Sequence, residues 1–143
     1  MQSTVPSRRL TSAAASAAVG AAVDKARELG VAVNAAVVDA GGNLLAFLRA
    51  DGAFAASAAI AEDKARTAVG FAMSTRALYG AIGGEPDVAA GIFHRPGITA
   101  FPGGMPIRDG GELVGAIGVS GASADQDEIC AIAGITAIQL SFE

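Results

Sequence analysis

Lys64 is the residue whose type and place ask first for a chemical explanation. On helical spacing it shares a face with Ile60, Ala61, Ala68 and Phe71, whereas Glu62, Asp63 and Arg66 fall mostly off that face. A lysine inside an apolar stripe is uncommon unless it is paired or at work, and its pKa yields readily to burial. Two readings stay open: an amine reaching a carboxylate such as Asp39 or Asp51, or an anion-binding or acid–base group. Arg49 stands just before Asp51-Gly52. It is either a clamp on that turn or a planar fork for a ligand carboxylate. His94, in Phe93-His94-Arg95-Pro96-Gly97, is the only histidine. A single imidazole excludes a multi-histidine metal site but leaves an axial haem ligand, a general base or a solvated loop residue.

Other residues read more plainly. Cys130 sits in an apolar stretch and reads as a small buried hydrophobe. Phe101-Pro102-Gly103-Gly104-Met105-Pro106 brings bare backbone close to whatever it faces. It lacks the lysine and the glycine spacing of nucleotide-binding loops. Gly115, Gly118 and Gly121 point to close packing of strand and helix, and Asp125, Asp127 and Glu128 complement a helix dipole. No Ser-His-Asp order, zinc spacing or EF-hand loop is visible.

The elements that must position these residues follow from turn and cap signals. Thr11 caps a helix running to about Leu29, with Gly30 just beyond its end. Val31 to Val38 and Leu44 to Arg49 read as strands joined through Asp39-Ala40-Gly41-Gly42-Asn43. A second helix spans Phe54 to about Met73. Ser74 to Gly104 is weakly patterned, with one short helix near Asp87 to Phe93, and so long an irregular stretch in a small domain is usually functional. Met105 to Arg108 and Glu112 to Ser120 flank the turn Asp109-Gly110-Gly111, and Ser123 with Gln126 forms a capping box for a last helix. Paired strands without regular βαβ alternation predict an α+β domain with an antiparallel sheet.

The composition bounds the function. The chain has 143 residues, no repeat and no linker, and reads as a single domain over 1–143. With 52% hydrophobic and 17% charged residues it is no disordered chain. A net charge of −4 and ten scattered Lys and Arg exclude a strong nucleic-acid surface. The longest charge-free apolar stretch, Ile129 to Phe142, is too short for the ~20 residues that span a bilayer, so no membrane is expected. One cysteine and no visible signal peptide predict a cytoplasmic protein. The last helix is apolar nearly all round, which a chain of this size cannot cover by itself. A homo-oligomer through apolar helices is therefore expected.

Several segments carry a resemblance. Val37-Val38-Asp39-Ala40-Gly41-Gly42-Asn43-Leu44, Arg49-Ala50-Asp51-Gly52-Ala53, Ser57 through Lys64 to Ala68, Gly103-Gly104-Met105-Pro106-Ile107 and Gly115 to Gly121 with Gln126-Asp127 resemble the GlcG/HbpS family. That family is also called haem-degrading, and the C-terminal domain of certain corrinoid adenosyltransferases shares its fold. The resemblance covers nearly the whole chain and implies a profilin-like α+β domain, a central antiparallel sheet flanked by helices, that forms oligomers. It implies haem or a related tetrapyrrole as ligand; no motif of the family fixes the haem ligand, and side-chain chemistry alone then offers His94 as axial metal ligand, Arg49 or Lys64 for a propionate, and Phe93 and Phe101 against the macrocycle. Thr67, Gly103 and Gly104 complete the expected ligand-binding set.

A second reading is a cofactor-independent isomerase, tautomerase or lyase acting on a small carboxylated metabolite. Lys64 or His94 would move a proton, Arg49 would hold the carboxylate, and N–H groups of Gly103-Gly104 would stabilise an oxyanion. A third is an accessory or structural subunit.

Overall fold

The computed structural model describes residues 1–143. The elements are α1 (Ser12–Glu28), β1 (Asn34–Asp39), β2 (Leu44–Arg49), α2 (Ser57–Phe71), α3 (Thr75–Ile82), α4 (Pro86–Phe93), β3 (Gly104–Asp109), β4 (Glu112–Ser120) and α5 (Ala124–Ala137). The strands form one antiparallel sheet in the order β2-β1-β4-β3. Helices α1 and α5 cover one face and α2 the other, the α+β architecture expected from the element order.

Local chemistry sets most boundaries. Thr11 accepts the Ala14 N–H at 3.1 Å and starts α1. At the far end Gly30 takes φ +76° and donates to the Arg27 carbonyl, while Val31 donates to the Ala26 carbonyl. This double closure of the helix end draws Val31 out of the strand, so β1 begins at Asn34 and not at Val31. The turn after β1 is held by Asp39, whose Oδ1 accepts the N–H groups of Gly41 and Asn43 at 2.9 and 3.0 Å. The β3–β4 turn is two residues long, with Gly110 and Gly111 both at positive φ (59° and 85°), the conformation that matches strand twist. The capping box of α5 is present, with Ser123 accepting the Gln126 N–H at 3.2 Å.

Small residues let the helices approach the sheet closely. In register, Ala36, Gly118 and Gly104 form a row across β1, β4 and β3. A Cβ at Gly118 would overlap the Ala61 carbonyl oxygen and stand 2.5 Å from the Ala65 nitrogen. The α2 backbone therefore lies directly on the sheet. On the opposite face Gly134 of α5 does the same against α1, since a Cβ there would stand 2.8 Å from the Ala18 oxygen.

Two departures from expectation concern α2 and the segment after it. The second helix is shorter than Phe54–Met73, because Ala56 caps it without a side-chain bond and Ala72 turns left-handed (φ 55°). Arg108 of β3 closes that end by donating from Nη2 to the Ala72 carbonyl at 2.8 Å. The stretch read as weakly patterned contains two helices, not one. Ser74 caps α3 through the Ala77 N–H at 3.1 Å, whereas α4 follows with Pro86 at its start and no buried residue. The expected over-apolar last helix is covered on one side only: Cys130, Ala131, Gly134 and Ile135 are buried, and Ile129 is 44% exposed. No helix is long and apolar enough to cross a membrane.

Candidate functional site

Lys64 lies on the sheet-facing side of α2 and has no exposed surface. Its Nζ donates to the Val119 carbonyl at 2.8 Å and to Asp127 Oδ2 at 3.0 Å, and lies 4.7 Å from the centroid of the Phe101 ring. The partner is thus neither Asp39, which holds its own turn, nor Asp51, which is exposed. Asp127 in turn does more than complement a helix dipole. Its second oxygen accepts the Ala122 N–H at 3.0 Å, so a buried carboxylate ties α5, β4 and α2 together. Burial pulls the Lys64 amine below its ordinary range against the pull of Asp127. It pushes the Asp127 carboxyl up against Lys64 and the backbone donors.

Two threonine hydroxyls hold the 97–104 segment over this pair. Thr67 Oγ1 donates to the Gly97 carbonyl at 3.3 Å and accepts the Thr99 N–H at 3.1 Å. Thr75 Oγ1 donates to the Phe101 carbonyl at 2.7 Å and accepts the Gly104 N–H at 3.0 Å. The two glycines here serve the lysine. A Cβ on Gly103 (φ +132°) would stand 2.6 Å from Lys64 Nζ, and one on Gly104 would stand 2.5 Å from the Lys64 carbonyl oxygen. The Gly104 N–H, expected as an oxyanion donor, already donates to Thr75.

Outside Phe101 lies an open groove of about 260 Å³, lined by Arg76, Tyr79, Ala100, Phe101 and Pro102. Arg76 leans across α5 to Asp125 and Glu128, both pairs at the surface. Tyr79 carries the groove toward α4, because its ring stacks parallel on Phe93 with centroids 5.7 Å apart. His94 caps the C-terminus of α4, beside Phe93, and is exposed.

The expected site residues therefore divide. Lys64, Thr67, Phe101, Gly103 and Gly104 meet around the 97–104 segment, and Phe93 joins that neighbourhood through Tyr79. Arg49 stays apart. It lies on β2, the sheet edge opposite β3, and its Nε donates to the Ala53 carbonyl at 3.3 Å, the turn clamp of its alternative reading. The sequence reading missed Arg76, Tyr79 and Thr75, all on the unrecognised α3, and offered Lys64 Asp39 or Asp51 as partner where the structure has Asp127. A signal for Asp127 was present: it precedes Cys130, Ala131 and Gly134 at helical spacing, on the buried face of α5. No group of three or more His, Cys, Asp or Glu side chains is arranged to hold a metal ion.

Comparison with known proteins agrees with this frame. Protein GlcG of Escherichia coli K12 is 35% identical over 106 residues, covering 74% of this chain and 77% of GlcG. The crystal structure of HbpS superposes with a TM-score of 0.84 at 39% identity, covering 94% of this chain and 93% of that one. The structure of a PduOC:heme complex gives a TM-score of 0.86 at 30% identity, covering 94% and 99%. The family model described as "Haem degrading protein HbpS-like" matches residues 10–136, and the chain belongs to that family.

Proposed function

We propose that this chain binds haem or a related tetrapyrrole on the surface formed by α3, α4 and the 97–104 segment. The observation that carries the reading is the exposed aromatic run. The Tyr79–Phe93 stack continues through the groove to the half-exposed Phe101, with the Arg76 guanidinium on its rim. A flat, apolar, dianionic ligand needs such a combination of ring faces and a fork-shaped cation. The haem complex of the related PduOC supports the ligand class.

The donor set fits the group. His94 is exposed at the end of α4, next to Phe93, so its imidazole is free to meet an iron lying against that ring. Arg76 takes the role expected of Arg49 or Lys64, since Lys64 is enclosed and already paired and Arg49 sits at the opposite sheet edge. Bound haem would supply a redox-active iron, and this chain's own residues would orient it and shield one of its faces. The reading includes a homo-oligomer, because apolar side chains such as Ile129, Leu44 and Leu48 remain exposed on one chain.

Hemin titration read at the Soret band tests this. Saturation at one haem per chain, lost in His94→Ala and weakened in Tyr79→Ala, is expected. Weak, non-saturating absorbance changes would overturn haem binding. Saturation unchanged in His94→Ala would remove His94 as the ligand.

A further inference from the structure

The Lys64–Asp127 pair has no part in the tetrapyrrole reading, and its geometry suits a different chemistry. The amine has three partners, a carbonyl, a carboxylate and the face of an aromatic ring, and the bare Gly103 backbone walls it on a further side. Two of the partners are fixed parts of β4 and α5, while the third, Phe101, is 49% exposed and also lines the groove beside Arg76. Exposed side chains change rotamer on the nanosecond scale, so turning this one ring would uncover the groove side of Nζ while the Gly103 backbone stays as its wall. We propose that Lys64 is a carbonyl-reactive amine, forming an imine with the aldehyde or keto group of a small carboxylate that enters through this groove. The inference is independent of haem binding.

The step balances within the residues present. Lys64 passes a proton to Asp127 Oδ2, 3.0 Å away, and the freed Nζ lone pair attacks the carbonyl carbon. The carbonyl π electrons move to oxygen, which takes one of the two protons still on Nζ and leaves a neutral carbinolamine. The carbinolamine then expels that oxygen as water while the C=N bond forms, with Asp127 returning the proton. Amine and carbonyl become imine and water, with no change of oxidation state. Burial favours this transfer, because it disfavours the charge on both partners. Arg76 on the groove rim is the cation placed to receive the substrate carboxylate, in exchange for its surface partners Asp125 and Glu128. Replacing Lys64 by a hydrocarbon of similar length would fill the same space more cheaply in an apolar interior, which is why a buried ion pair invites a role beyond stability.

The chain tests itself well, since Lys25 is the only other lysine and is partly exposed. Native protein is incubated with pyruvate and sodium cyanoborohydride, which reduces any imine to a stable secondary amine, and the modified peptide is identified by mass spectrometry. Acetone serves as the uncharged probe. The expected result is modification of Lys64 ahead of Lys25 and the α-amino group, several-fold faster in Phe101→Ala. Arg76→Ala should slow the reaction with pyruvate and leave acetone unaffected. Modification confined to Lys25 and the α-amino group, in both the native chain and Phe101→Ala, would overturn the proposal. So would reaction of Lys64 only in urea. Equal slowing of both probes in Arg76→Ala would overturn the role of the carboxylate.

Discussion

Asp127→Ala leaves the Lys64 ammonium enclosed with only the Val119 carbonyl and the Phe101 ring for company. Breaking a buried pair from one side costs about 3–5 kcal/mol. An upper bound follows from the lysine itself, which can escape by losing its proton. Neutralising an amine of pKa ~10.4 at about pH 7 costs roughly 3.4 units at 1.36 kcal/mol each, or about 4.6 kcal/mol. The orphaned Ala122 N–H adds about 1–3 kcal/mol where water cannot reach it. At about 2–4 °C per kcal/mol, the lysine term alone lowers Tm by about 6–20 °C.

The escape also gives the loss a pH signature. The native lysine, lowered already by burial, loses its opposing carboxylate and falls further, so the unfolded chain binds the extra proton. Stability of the variant must therefore rise with pH, by up to about 1.4 kcal/mol per unit, until the unfolded amine also deprotonates near pH ~10. Urea unfolding of both chains between about pH 7 and pH 10 measures this. Lys64→Met with Asp127→Leu should recover most of the loss, because an apolar pair needs no compensation. A loss below about 1 kcal/mol at neutral pH, or a deficit that does not shrink as pH rises, would refute the electrostatic account of the site.

Three further outcomes check the frame. Gly118→Ala forces α2 off the sheet and should lose at least about 1–3 kcal/mol in urea unfolding; wild-type stability would mean that the helix does not rest there. For Asp39, burial raises the carboxyl pKa, but the N–H groups of Asn43 and Gly41 outweigh it and hold the group below its ordinary value. Its contribution is thus present above pH ~4 and lost as pH falls through the folded value, so the gap between wild type and Asp39→Asn should close in acid. A gap that widens in acid would contradict that sign. Cys130 is buried, with its thiol pushed up to about 11 by burial, so a thiol reagent should react with it only as fast as the chain unfolds. Rapid reaction of the native protein would show that α5 is less enclosed than its packing indicates.

What could be read from the sequence was whatever is decided locally. Thr11, Ser123 with Gln126, Asp39 and the Gly110-Gly111 pair each act on residues within a few positions, and each set the boundary or turn expected of it. Helix α3 escaped notice because it has only eight residues, of which Thr75 and Leu78 alone are buried, too few to show a period. The partner of Lys64 stands 63 positions away, and a burial argument demands a carboxylate without saying which. Gly103 and Gly104 were read correctly as a place of close backbone approach. What approaches them in the fold is Lys64 and its own helix.

The same division explains why likeness over residues 10–136 speaks for the frame more strongly than for the ligand. A chain that lays α2 on its sheet must keep bare backbone at Gly118 and Gly104, whatever it binds. The groove is under no such constraint. Tyr79 and His94 are exposed, and α4 buries none of its residues although it carries Val88, Ile92 and Phe93. The Tyr79–Phe93 stack joins α3 to α4, but it leaves one face of Tyr79 and the side chains of Val88 and His94 open, and a partner touching them from outside would account for that exposure. A flat apolar ligand in the groove would do this for Tyr79 and Phe101 together, with Phe93 backing the Tyr79 ring through their stack while the helix beneath keeps its place.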